Sequence, residues 1–222
     1  KEKIMKKQLN TAIAALFLTT ASMATMATEV GDAYVTAGVW NLKADLGNTL
    51  SGSGITVDDE DTVGSITVGY QVDKNLSVEG GVIGSGEVSV NYTGSGSGTY
   101  LGKAYSYSVD GAVKAETDTS YTLGLKYSNP VNEQVDIYGK AGMLFWDVDY
   151  SVTGAGTFTY NGTGYTLAGA SKFAEASGND LYVGVGASYT MTKDTKISAE
   201  YMKSEVHGAD VDGLSAAITF DF

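Results

Sequence analysis

Apolar and polar residues alternate along most of this chain, and short polar breaks interrupt the alternation at similar places. Ile66, Val68, Tyr70 and Val72 alternate with Ser65, Thr67, Gly69 and Gln71, and after Asp73, Lys74 and Asn75 the pattern resumes as Leu76, Val78, Gly80 and Val82. A period of two puts every second side chain on one face of a strand, and a polar break of this length reads as a hairpin turn. The construction recurs around Ser128, Asn129 and Pro130, and again around Thr192, Lys193 and Asp194. With one strand ahead of these hairpins and one behind, eight strands are predicted over 33–46, 61–72, 76–92, 115–128, 135–152, 178–190, 195–206 and 213–222. The last of them sets Leu214, Ala216, Ile218, Phe220 and Phe222 against Ser215, Ala217, Thr219 and Asp221. An oily side that runs to the final residue needs a cover other than water.

The connections alternate in length. Those after strands two, four and six are short; those after one, three, five and seven are mostly long and rich in Gly, Ser, Thr, Asn and Tyr, as in residues 46–61 and 93–114. Short turns on one side and long loops on the other are the rhythm of an up-and-down transmembrane barrel, and an even strand count leaves both termini in the periplasm. Strands of about 9–11 residues suffice to span a bilayer. Hydrocarbon admits only helices or closed sheets, because an unpaired peptide group there costs several kcal/mol. The predicted fold class is therefore all-β: an eight-stranded antiparallel up-and-down transmembrane β-barrel with long extracellular loops. Tyr70, Tyr127 and Tyr189 each close an apolar face just before a turn, and with Phe220 and Phe222 they are the expected interface aromatics. A soluble periplasmic β-sandwich would share the alternation, with sheet packed on sheet.

Composition sharpens the compartment. Lys6 and Lys7 precede the apolar run 12–18 and a small-residue exit, the order of a secretory signal peptide, with cleavage after Ala27 or Ala24. Met5 is the expected start. Residues 1–27 are thus set apart as signal peptide and preceding residues, and 28–222 as the barrel. Removing four lysines and one glutamate with that segment takes the net charge from −12 to −15. Nucleic acid is excluded as a partner, since phosphate neutralisation needs basic patches and the chain has no arginine. No cysteine is present, so neither disulfides, a cysteine-linked lipid anchor nor thiolate metal sites are available. The 29 glycines, 15 tyrosines and single proline suit long hydrogen-bonded strands.

Residues 69–81 ("GYQVDKNLSVEGG"), 136–146 ("DIYGKAGMLFW") and 188–201 ("SYTMTKDTKISAEY") resemble hairpins of the OmpA-type transmembrane barrel family. The terminal Phe222 is similar to the aromatic residue by which such barrels are recognised for assembly. The resemblance covers the strands and not the loops, and the family's peptidoglycan-binding domain is not expected here. It implies charged side chains meeting inside the barrel and blocking a continuous pore. Glu79, Lys140 and Glu200 match inward charged positions of the family, while Lys126 points inward by parity alone. Ser198 and Ser188 stand where the family has its central arginine and a second lumen glutamate, so the family's gating pair is not intact here.

Three groups of side chains carry candidate chemistry. The lumen charges can act as an ion gate or as a structural plug of paired groups, and eight strands leave an interior about filled by side chains. His207, the sole histidine, lacks the oriented hydroxyl partner that catalysis needs, with Ser204 only nearby, so no enzyme and no catalytic residue is expected. Asp58, Asp59, Glu60 and Asp61 are weak metal-ligand candidates without the spacing of a calcium loop, and read better as a solvated acidic segment able to bridge through divalent ions to lipopolysaccharide. No cofactor is expected. The expected function is a structural, surface-display role in envelope integrity and adhesion or colonisation contacts, with a narrow porin-like channel as the alternative. Expected partners are outer-membrane lipid and lipopolysaccharide, the barrel assembly machinery through the C-terminal strand, and an unidentified extracellular ligand, with the barrel a monomer.

Overall fold

A computed structural model describes residues 30–46 and 52–222; the signal-peptide segment and both cleavage candidates lie outside the described residues. Eleven strands follow one another: β1 (Ala33–Ala44), β2 (Ile55–Asp58), β3 (Glu60–Asp73), β4 (Leu76–Ile83), β5 (Glu87–Tyr100), β6 (Lys103–Thr117), β7 (Ser120–Pro130), β8 (Val135–Tyr160), β9 (Thr163–Thr192), β10 (Thr195–Val206) and β11 (Ala209–Asp221). Every pairing is antiparallel, and eight strands close a ring in the order β1, β3, β4, β7, β8, β9, β10, β11 and back to β1. The seam runs from Tyr34 opposite Asp221 to Ala44 opposite Val211. The Phe222 amide also donates to the Ala33 carbonyl at 2.9 Å, so pairing continues to the last residue.

Parity sorts the side chains as the alternation requires. Val39, Val68, Leu123, Leu125, Val183 and Leu214 face outward and are exposed, as lipid-facing residues of a barrel must be, and Tyr70, Tyr127, Tyr189 and Phe222 lie outward near the short-turn end. Phe220 shares the outward side of β11 and is half-buried. The inward side chains form three layers. Nearest the short turns, Ser77 Oγ donates to Gln71 Oε1 (2.9 Å) and Lys196 pairs with Asp221 (3.0 Å). A charged layer follows. Beyond it Trp40, Val63, Ile83, Leu144, Trp146, Val148 and Met202 pack into a buried apolar layer. Both indoles there are satisfied, Trp40 by Ser65 Oγ (3.1 Å) and Trp146 by Asp180 Oδ2 (2.8 Å).

Where the structure describes the connections, it does not confirm long irregular loops. Residues 93–114 lie almost wholly in the β5–β6 hairpin, the stretch after the fifth ring strand continues as the outer halves of β8 and β9, and β10 joins β11 through the two residues His207 and Gly208. The predicted third and fourth strands are interrupted where the chain leaves the ring, at 84–86 and 118–119, and a clamp of Gly86 and Thr117 holds the two exits together (Gly86 N to Thr117 Oγ1, 2.9 Å). β8 is the shared spine: its first half pairs with β7 and its second half with β6. The physical reason lies in period two. Tyr105, Tyr107, Val109 and Val113 alternate with Ser106, Ser108, Asp110 and Ala112, so a composition that resembles a loop also satisfies a ladder once β8 offers an edge. β5, β6 and the outer halves of β8 and β9 therefore form a sheet that projects beyond the ring. Near its base Lys172 pairs with Asp149 (2.8 Å) and Glu175 (2.5 Å), and hydrogen bonds to Asp149 and then Glu175 raise its pKa above the usual lysine value.

Candidate functional site

The charged layer is assembled from five strands. Glu79 comes from β4, Lys126 from β7, Tyr138 and Lys140 from β8, Glu200 from β10 and Tyr34 from β1, each on the inward parity of its strand. Lys140 Nζ bridges the two carboxylates, 2.9 Å from Glu79 Oε2 and 3.0 Å from Glu200 Oε2, while Lys126 Nζ lies 3.8 Å from Glu79 Oε1. Tyr34 donates to Glu79 Oε1 (2.6 Å) and Tyr138 to Glu200 Oε2 (3.1 Å). Lys126 also sits over the rings of Tyr138 and Tyr34, 4.5 and 5.1 Å from their centroids. Two lysines and two glutamates leave the layer without net formal charge. That balance matters, because Lys126 and Lys140 are direct cross-strand neighbours, an arrangement that is unfavourable unless carboxylates intervene.

Glycine makes the room. A Cβ at Gly69 would lie 2.0 Å from Tyr34 Cζ, one at Gly186 2.4 Å from Tyr138 Cζ, and one at Gly184 2.9 Å from Glu200 Oε1. Each of these glycines lets a large or charged side chain from the neighbouring strand lie flat across the lumen wall. With only 4 % of its side chain exposed, Glu79 is as buried as a core residue, and its charge is compensated by three partners.

The structure brings Glu79, Lys126, Lys140 and Glu200 into one cluster. Tyr34 and Tyr138, which sequence reasoning left out, complete it; Tyr138 shares the parity of Lys140, and that signal was available. Ser188 faces inward, with its Oγ 3.5 Å from Asp136 Oδ2. The acidic segment does not converge. Asp59 and Glu60 both engage Lys43 (3.6 and 3.0 Å), Asp61 accepts from the amides of Thr62 (2.7 Å) and Glu87 (2.8 Å), and among the described residues no group of three acidic or histidine side chains is placed to hold a metal ion. His207 lies exposed in the two-residue turn between β10 and β11. Its ring packs against Trp146 and Tyr150, with centroids 5.7 and 5.8 Å apart, above the apolar layer.

The sequence from 12 to 222 matches the model of a family described as the outer membrane protein beta-barrel domain. The chain belongs to this family. Its barrel therefore resides in the outer membrane, and the lipid outside the ring is the cover that its outward residues require. Among solved structures, the outer membrane protein OprG of Pseudomonas aeruginosa is similar at 15 % identity over 90 % of this chain and 99 % of its own (TM-score 0.49). Ail, the attachment invasion locus protein of Yersinia pestis, is similar at 16 % identity over 87 % of this chain and 100 % of its own (TM-score 0.45). Neisserial surface protein A is similar at 16 % identity over 86 % and 97 % (TM-score 0.41). No curated protein matches the sequence.

Proposed function

We propose that this outer-membrane barrel is a closed scaffold that displays its projecting sheet at the cell surface, serving envelope integrity and adhesive contacts. The observation that carries this reading is the filled lumen: a compensated charged layer lies under a buried apolar layer, across the way a polar solute would take. A solute in transit would have to break Lys140 from both carboxylates and also displace Trp40, Trp146 and Met202. Lipid and lipopolysaccharide are the partners of the outward wall, and a monomer suffices, because all eight ring strands are paired within one chain. The Phe222 strand edge is the segment we assign to the barrel assembly machinery. Glu79, Lys126, Lys140 and Glu200 serve here as a structural plug. The test is conductance of the reconstituted chain in planar bilayers, with Glu79→Ala and Lys140→Ala beside it. Electrical silence of the wild type supports the scaffold. Stable unit steps that change in size in the two variants establish a channel instead.

A further inference from the structure

The projecting sheet is two-faced. On one face Tyr107 opposes Phe158, which in turn opposes Tyr165 and stacks on it with centroids 6.4 Å apart; the other face carries Ser106, Ser108, Thr157 and Thr166. Large apolar side chains of the sheet are open to solvent, among them Leu101 (81 %), Leu167 (80 %), Tyr100 (63 %) and Tyr165 (60 %). The Asn161 amide donates to the Ala104 carbonyl (2.9 Å) and Tyr100 opposes Lys103, so the turn of Leu101 and Gly102 stands beyond the turn of Asn161 and Gly162 and is the outermost point of the sheet.

Two features of that tip are unexpected for a solvated hairpin. Leu101 holds a left-handed backbone (φ 52°), whereas the equivalent positions of the other two X-Gly turns are Asn161 and His207, residue types that adopt this conformation more readily. A strained, exposed leucine occupies the place where asparagine would be the unstrained choice. The charge pattern is equally uneven. In a chain of net charge −12, residues 88–109 and 151–171 contain no acid and one base, Lys103, whose Nζ lies 6.0 Å from the Tyr160 ring centroid. Tyrosine and leucine beside a lone lysine are side chains that partition into the headgroup boundary of a bilayer, and the exclusion of acids removes repulsion from anionic lipid. A tip that carries exposed Tyr100 and Leu101 beyond the neighbouring turn suits a flat, yielding surface met end-on.

We propose that the tip formed by Tyr100, Leu101 and Lys103 docks onto a lipid bilayer opposite the one the barrel spans, with Tyr160 and Tyr165 following into the headgroup zone. This deepens the display reading and rests on it, naming a lipid surface as the partner. The test uses the full barrel in phosphatidylcholine nanodiscs, mixed with separate vesicles of phosphatidylcholine alone or with a minor fraction of phosphatidylserine, and read by co-flotation. The wild type is expected to float with the vesicles, more strongly when phosphatidylserine is present. Tyr100→Ser combined with Leu101→Asp should weaken binding by about tenfold or more, the scale of losing one apolar side chain's burial. Lys103→Ser should remove only the preference for phosphatidylserine. Because the chain has no cysteine, Thr99→Cys can carry a polarity-sensitive dye whose emission should shift to the blue on vesicle addition. Retained heat-modifiable gel mobility confirms that each variant folds. The proposal is overturned if the wild type ignores both vesicles, if the tip variant floats as well as the wild type, or if nanodiscs associate with one another while vesicles stay free, which would make a second copy the partner. A conducting barrel that still floats would refute the closed scaffold and not the docking; a silent barrel that does not float would refute only the docking.

Discussion

At the residue scale the molecule depends on exchange between glycine and bulk across the lumen wall. Tyr34 and Tyr138 reach the carboxylates only because Gly69 and Gly186 present no Cβ beneath their rings. Gly69→Ala should push Tyr34 off Glu79 and cost about 1–3 kcal/mol, as overpacking does in a dense interior. Gly80→Ala, on the outward side of β4 with its nearest contact at 3.8 Å, should be almost silent. Urea unfolding in lipid vesicles followed by tryptophan fluorescence checks both; equal losses would mean that the rings are not seated on glycine. Lys140 is the more severe case. Lys140→Met strands Glu200 as a buried charge without a cation, while Glu79 keeps Lys126, and should cost about 3–5 kcal/mol, whereas adding Glu200→Gln, which leaves Lys126 paired with Glu79, should recover much of it. A double variant no more stable than Lys140→Met would contradict the assignment of Lys140 as the bridge.

At the scale of elements the ring and the projecting sheet meet at the β8–β9 pair, at the clamp of Gly86 and Thr117 and at the hydrogen bond from the Glu87 amide to Asp61 Oδ2. Ile83 opposes Ser120 and Leu76 opposes Tyr127, so β4 and β7 pair without help from the hairpin between them. Replacing residues 93–110 with a two-residue Asn-Gly turn should therefore leave the barrel's gel mobility, unboiled against boiled, unchanged, and loss of the fast-migrating form would show that the hairpin is needed for closure. The ring strands were legible from period two alone, because a bilayer outside and a packed lumen inside give each parity one environment. The lumen carboxylates and lysines were legible for the same reason. Tyr34 and Tyr138 were not read as lumen groups, because tyrosine is also what the membrane interface selects, and only the register opposite Gly69 and Gly186 separates the two roles. The β5–β6 hairpin was hidden by its glycine and serine, although Tyr105, Tyr107 and Val109 kept the alternation. Its partner is the second half of β8, whose residues 153–160 carry the same loop-like composition.

At the scale of the whole molecule, charge and apolarity are distributed by height. Paired ions fill the middle of the lumen, an apolar layer closes it outward, acids such as Asp59, Glu60 and Asp61 sit where the ring ends, and the distal sheet carries almost no charge. All of this presupposes one closed cylinder. Cysteine cross-linking across the β1–β11 seam tests that closure most directly, since the native chain contributes no thiol. Val39→Cys with Ala216→Cys places two thiols on directly opposed outward positions, whereas Val39→Cys with Ala187→Cys sets them at the same level with β10 and β11 between. In outer membranes treated with a mild oxidant, the account predicts a rapid intramolecular disulfide in the first pair and none in the second. Failure of the first pair to cross-link in protein that retains the folded gel mobility would contradict a closed ring.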